Sequence, residues 1–126
     1  MLDIRVTLRV FSVSNSLSDL KAKLGEPTEG FSFEDEKSGG RGKRDKTCWA
    51  LEVSNSQDGN LESNILEIVS FLDDRANTFQ ELRQSCDVDL FCMLSTNNGQ
   101  GGALLSDAMM RRLVFYGLSI VFDVYS

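Results

Sequence analysis

Ser106–Tyr125, with the sequence SDAMMRRLVFYGLSIVFDVY, predicts a short helix that is followed at once by a strand. Ser106 suits a helix N-cap because its hydroxyl can accept a hydrogen bond from the first turn, and Asp107 stands at the positive end of the helix dipole. Gly117 stands where a left-handed C-terminal cap ends a helix. Apolar periodicity predicts that the core face of this unit consists of Met109, Met110, Leu113 and Val114 on the helix and Leu118, Ile120, Phe122 and Val124 on the strand.

The chain before this unit predicts three further strands and two well-marked helices. Apolar and polar residues alternate over 4–10, 47–53 and 86–95, and apolar residues recur at helical spacing over 17–24 and 61–72. Each strand has one polar face, which suits a sheet covered on one side only. We therefore predict an α+β fold with a mainly antiparallel sheet of four to five strands and two to three helices packed on one face.

The size and composition fit one domain, residues 1–126, in which residues 25–46 form a long, partly flexible loop. No apolar run approaches the ~20 residues that span a bilayer, and no secretory signal is visible. The three cysteines are an odd number without C-x-x-C spacing, which favours a reducing compartment. We expect a cytoplasmic protein.

The sequence contains no histidine, so the commonest general base and metal ligand are missing. This excludes nucleophiles activated by histidine and zinc sites built on histidine. We expect a protein that is not an enzyme and that has no catalytic residues, no metal site and no cofactor. The net charge of −6 disfavours binding to nucleic acid and to anionic membranes.

Charge is distributed unevenly along the chain. Residues 37–46 carry five basic residues and one acidic residue, whereas residues 47–107 carry two basic and ten acidic residues. The basic stretch lacks the spacing of a phosphate-binding loop. It is either a solvated loop or a contact for an anion or acidic partner, and in the second case the contacts would be Arg41, Lys43 and Arg44.

The polar faces of the predicted strands also carry aromatic residues and methionine, which are typical of interaction surfaces. We predict that this surface binds another protein or a second copy of the chain in a dimer. One alternative is that its charges pair across neighbouring strands and stabilise the sheet. Another is that residues 25–46 or a twin subunit cover it. The candidate residues are Arg5, Arg9, Asp87, Asp89, Phe91, Met93, Val121, Asp123 and Tyr125.

Several features together resemble a bacterial family catalogued as domain of unknown function 4279. They are the turn Gly25-Glu26-Pro27-Thr28, the Trp49 strand after a glycine-rich loop, the acidic-faced central helix, the loop 97–102 and the ending Gly-Leu-Ser-Ile-x-x-Asp-x-Tyr. The resemblance implies a small α+β protein and brings no activity with it.

Three functions remain open at this point. The first is a protein-binding domain, in its sharpest form an immunity-type protein that neutralises a basic toxin. The second is a small-molecule-sensing or regulatory module with a pocket lined by Trp49, Phe31 or Phe33. The third is an enzyme that uses carboxylates, which requires at least two of Asp87, Asp89 and Asp123 to converge.

Overall fold

The structure, a computed structural model, describes residues 2–33, 40, 42–54, 60–96 and 102–125. This part of the chain forms five strands and four helices. In chain order they are β1 (Leu2–Ser12), α1 (Leu17–Leu24), β2 (Glu29–Phe31), β3 (Thr47–Ser54), α2 (Leu61–Asp73), α3 (Ala76–Leu82), β4 (Asp87–Thr96), α4 (Asp107–Phe115) and β5 (Ser119–Tyr125).

The strands form one mixed sheet in the order β2-β3-β1-β4-β5. β1 lies at the centre and pairs antiparallel with β3 and β4, β2 pairs antiparallel with β3, and β4 pairs parallel with β5. The predicted α+β fold with a mainly antiparallel sheet is confirmed, although the described residues form four helices rather than two to three. The segment 25–46, predicted as a loop, contains β2.

The core lies between one face of the sheet and the helices. The inward residues of β1 (Ile4, Val6, Leu8 and Val10) are at most 1% exposed, because they pack against buried leucines and isoleucines of α1 and α2. Trp49 is fully buried, stacks on Phe71 and donates its indole N–H to the carbonyl of Gly25 at 2.9 Å. Trp49 therefore belongs to the core.

Side-chain caps explain where the predicted helices begin. Ser16 and Asp19 form a capping box at the start of α1, and the Asn60 side chain accepts two backbone hydrogen bonds at the start of α2. The Ser106 hydroxyl accepts from the backbone N–H of Met109, and Gly117 has φ of 65° in the turn to β5. Both predicted ends of the last helix are therefore confirmed.

Four residues assigned to the core of the 106–125 unit are exposed instead. Met110 is 46%, Val114 76%, Phe122 50% and Val124 68% exposed, whereas Leu113 and Leu118 are buried. A nine-residue helix on the protein surface buries only a narrow stripe, here continued by Tyr116. β5 is an edge strand, and the described helices leave its second half uncovered.

None of the four helices in the described part of the chain has the length and apolar character that crossing a bilayer requires.

Candidate functional site

The face of the sheet opposite the helices, which we call the open face, brings together every residue predicted there from the polar strand positions. In the register of β1 and β4, Arg9 lies opposite Asp89 and Arg5 opposite Met93. Residues directly opposite each other in neighbouring strands point to the same side of a sheet. The same pairing places on this face the remaining members Asp87, Phe91, Val121, Asp123 and Tyr125.

Arg9 is the centre of a tight cluster on the open face. Its Nε and Nη2 atoms donate to the two carboxylate oxygens of Asp89, each at 2.7 Å. Its guanidinium carbon lies 4.7 Å from the ring centroid of Phe91 and 5.2 Å from that of Phe11. The hydrogen bonds to Asp89 raise the pKa of Arg9, in opposition to burial. Arg9 and Asp89 are thus already paired with each other, as the alternative of cross-strand charge pairing proposed.

The other predicted charges on this face form weaker, more exposed pairs. Lys46 approaches Asp87 at 3.6 Å, and Arg5 approaches Asp3 at 3.9 Å. The side chains of both pairs are at least 45% exposed, so water screens their attraction. These charges hold the surface less firmly than the Arg9 cluster does and can re-pair with a partner.

The end of the open face near β2 is partly covered. The guanidinium carbon of Arg44 lies 4.0 Å from the ring centroid of Phe31, and Cys48 and Ala50 are buried although they point to this side. Burial raises the pKa of the Cys48 thiol to about 11, so it is a protonated thiol at neutral pH rather than a nucleophilic thiolate. Of the predicted loop contacts, Lys43 is exposed, Arg44 is half-buried and Arg41 lies outside the described residues.

The other end of the open face, formed by β4 and β5, exposes apolar side chains. Val121 is 38% and Tyr125 50% exposed, and Met93 beside them is half-buried. The Tyr125 hydroxyl donates to Asp123 at 2.6 Å, and this hydrogen bond raises the pKa of Tyr125. We call Met93, Val121, Asp123 and Tyr125 the outer strip. It is an apolar surface with one carboxylate.

A small depression of about 120 Å³ on the open face was not predicted. The carboxylates on its rim, Glu29 and Glu52, are exposed, and neither forms an ion pair among the described residues. The Thr28 hydroxyl, just before β2, accepts a hydrogen bond from the backbone N–H of Glu52 in β3 at 2.9 Å, which connects the two sides of the depression. The sequence could have indicated only one of these carboxylates, because Glu52 stands at a polar position of a predicted strand. Glu29 comes near Glu52 only because β2 pairs with β3. We call this group the acidic depression; it is lined by Thr7, Thr28, Glu29, Ala50 and Glu52.

A carboxylate enzyme would need at least two of Asp87, Asp89 and Asp123 to converge. Asp87 and Asp89 are two positions apart along β4, which is roughly 7 Å, and Asp89 is already hydrogen-bonded to Arg9. Asp89 lies opposite Ser119, whereas Asp123 is four residues further along β5, which is roughly 13 Å. Asp87 is the first residue of β4, and its side chain is 83% exposed. The described residues contain no group of three or more acidic or cysteine side chains able to hold a metal ion.

The chain matches, over residues 3–126, the family described as domain of unknown function (DUF4279). The chain belongs to this family. The resemblance seen in the sequence is therefore confirmed and spans nearly the whole chain. No curated protein and no solved structure gives a significant match. The family description names no activity.

Proposed function

We propose that this member of the domain of unknown function family is a non-enzymatic protein-binding domain that engages its partner through the open face. The observation that carries the proposal is the outer strip, which exposes Val121 and Tyr125 on the side of the sheet that the helices leave uncovered. Tyrosine, methionine and arginine are enriched at protein interfaces. Proteins that act alone rarely leave such apolar patches in water.

The charges of the open face favour a partner with basic side chains. The Arg9 guanidinium is already neutralised by Asp89, while the carboxylates of Glu29 and Glu52 stand exposed around a depression. A lysine or arginine side chain of a partner fits there by charge, and the net charge of −6 speeds its approach. The sharpest version is an immunity-type protein that neutralises a basic toxin, such as a nuclease, in the bacterial cytoplasm. The three free cysteines support this compartment.

The alternative, a small-molecule-sensing or regulatory module, has less support. Of the three residues predicted to line its pocket, Trp49 is sealed in the core, Phe31 lies under Arg44 and Phe33 is 48% exposed at the surface. The acidic depression, at about 120 Å³, is well below the ~300–1,000 Å³ of typical ligand pockets. Its size suits one side chain rather than a metabolite. A larger depression of about 340 Å³ lies where α2 meets α3, but it is wide open, is lined by residues 73–78 and includes none of the predicted residues.

The test measures binding to proteins encoded beside the gene, first by pull-down and then by calorimetry at two salt concentrations. Met93→Ala and Tyr125→Ala are expected to weaken binding about 10-fold or more, with a smaller effect on stability, because they remove exposed apolar contacts. Glu52→Gln is expected to weaken binding and to reduce its salt dependence.

Glu67→Gln provides the matched control for Glu52→Gln, because Glu67 is an exposed carboxylate on α2, away from the open face. Binding should be unchanged in this variant. The proposal fails if no neighbouring gene product binds, or if Glu67→Gln reduces binding as much as the open-face variants do.

A further inference from the structure

β5 presents an unprotected edge of the sheet. It pairs with β4 along one side, and no described residue pairs with its other side. Natural edge strands are usually protected by lysine, proline, a bulge or short length. β5 is seven residues long, its sequence SIVFDVY contains neither lysine nor proline, and Asp123 is its single charge.

Apolar side chains are exposed on both sides of this edge strand. Val121 and Tyr125 are exposed on the open face, and Phe122 and Val124 are 50% and 68% exposed on the helix side. A strand that is apolar on both sides is typical of the interior of a sheet rather than its edge. The pattern indicates that another strand lies beside β5 in the functional protein.

We propose that the occupant of this edge is β5 of a second copy of the chain, paired antiparallel around a two-fold axis at Phe122. The two five-stranded sheets then form one continuous ten-stranded sheet, with both helix layers on one side and both open faces on the other. The inference requires no other protein, so it stands independently of the proposed function.

The register supports a second copy because the strand is complementary to itself in one arrangement. When a two-fold axis perpendicular to the sheet passes beside one residue, each residue a given number of positions after it lies opposite the residue the same number of positions before it in the other copy. Odd-numbered residues therefore always lie opposite odd-numbered residues. With the axis at Phe122, all seven residues are paired, and Asp123 meets Val121. Moving the axis to Asp123 places two carboxylates opposite each other, which is unfavourable. Moving it to Val121 places Tyr125 opposite Gly117, whose left-handed φ of 65° lies outside the strand.

Pairing in this register also covers apolar side chains that are exposed on both faces of β5 in a single copy. Phe122 packs against its own copy on the helix side, and Ile120 lies opposite Val124. On the open face, Tyr125 lies opposite Ser119, and the carboxylate of Asp123 keeps its hydrogen bond from Tyr125. The outer strips of the two copies become adjacent, so a dimer presents one larger apolar surface to a partner.

The first test is sedimentation equilibrium of the full chain from micromolar to millimolar concentrations. A weak dimer is expected, since pairing of one edge strand buries less than a standard interface. Phe122→Lys places two ammonium groups opposite each other and is expected to raise the dissociation constant about tenfold or more. Leu66→Lys is the matched control, because Leu66 is 54% exposed on α2, and it should dimerise like the wild type.

The second test locates the axis and remains valid if Phe122→Lys does not fold. Phe122→Cys is expected to form an intermolecular disulfide under mild oxidation, because opposite residues at the axis have Cβ atoms about 4.5–5.5 Å apart. Val124→Cys lies opposite Ile120 and should not cross-link. Both variants are made with Cys92→Ala, because Cys92 lies directly beside position 122 in β4 and would compete for the disulfide. The remaining native cysteines, Cys48 and Cys86, are buried.

Three outcomes would overturn the inference. The first is a wild-type chain that stays monomeric at the highest concentration. The second is equal cross-linking of Phe122→Cys and Val124→Cys. The third is dimerisation that survives Phe122→Lys and is lost in Met93→Lys, which would assign the dimer to the open face. Loss of binding to an outside protein, by contrast, tests only the proposed function.

Discussion

Replacement of Arg9 by methionine is expected to lower the free energy of unfolding by about 2–4 kcal/mol. Methionine keeps an apolar stem against the rings of Phe11 and Phe91, so the change mainly removes charge. The two hydrogen bonds to Asp89 are charge-assisted and connect side chains that are 29% and 19% exposed, and such bonds contribute about 1.5–3 kcal/mol. The cation–π contacts add about 0.5–1 kcal/mol each. Asp89 is left without its counter-charge.

The measurement is urea denaturation followed by fluorescence. Trp49 is the single tryptophan and is fully buried, so its emission reports loss of the core directly. A double-mutant cycle with Asp89→Asn isolates the pair, and a coupling free energy of about 1–2 kcal/mol is expected. Arg5→Met is the control in the same strand, because Arg5 and Asp3 are both about half exposed; its effect should stay within about 0.5 kcal/mol.

A coupling free energy below about 0.3 kcal/mol, the level expected for independent sites, would show that Arg9 and Asp89 do not stabilise each other. Equal destabilisation by Arg5→Met and Arg9→Met would likewise contradict the prediction. Either result would mean that the Arg9 cluster is not ordered in solution. Then Arg9 would be available to a partner, and the assignment of the outer strip and the acidic depression as the contact regions would need revision.

Three further measurements test other features. Burial raises the pKa of Tyr116 to about 12, so the stability linked to its proton is present below pH 10 and is lost as the pH rises toward 12; Tyr116→Phe should make stability in urea titrations less dependent on pH in this range. Gly117→Ala should cost about 1–2 kcal/mol in thermal unfolding, since φ is 65° and the new Cβ would overlap the guanidinium of Arg83, which must move. At neutral pH, Cys48 and Cys92 should react with thiol reagents only after unfolding, because burial raises both pKa values to about 11; rapid labelling of the folded protein would contradict their burial.

Local periodicity predicted most of the fold because the two-residue repeat of a strand is set by covalent geometry. It correctly separated Arg5 and Arg9 from Ile4 and Val6 and placed nine candidate residues on one side of the sheet. Periodicity indicates which residues share a face, but it does not indicate what covers that face. Phe122 was therefore assigned to the core, although it lies on an edge strand that no described helix covers there.

The acidic depression could not be predicted for a different reason. Glu29 and Glu52 meet only because β2 pairs with β3, and residues 25–46, which contain β2, give no periodic signal that fixes this register. Similarly, the exposure of Val114 depends on how α4 is rotated over the sheet. Such features follow from tertiary pairing and packing, which local sequence patterns do not encode.

The central position of β1 has a consequence for synthesis on the ribosome. β1 precedes both of its partners, since it pairs with residues 47–54 and with residues 87–96. At a translation rate of roughly 5–20 residues per second, synthesis of β3 is complete roughly 2–8 s after that of β1, and synthesis of β4 is complete roughly 4–17 s after it. Until then Ile4, Val6, Leu8 and Val10 lack one or both of the strands that later enclose them. The strand whose inner face becomes fully buried is therefore the one that a nascent chain must keep from aggregating longest, and slower translation of residues 13–46 should lower the soluble yield.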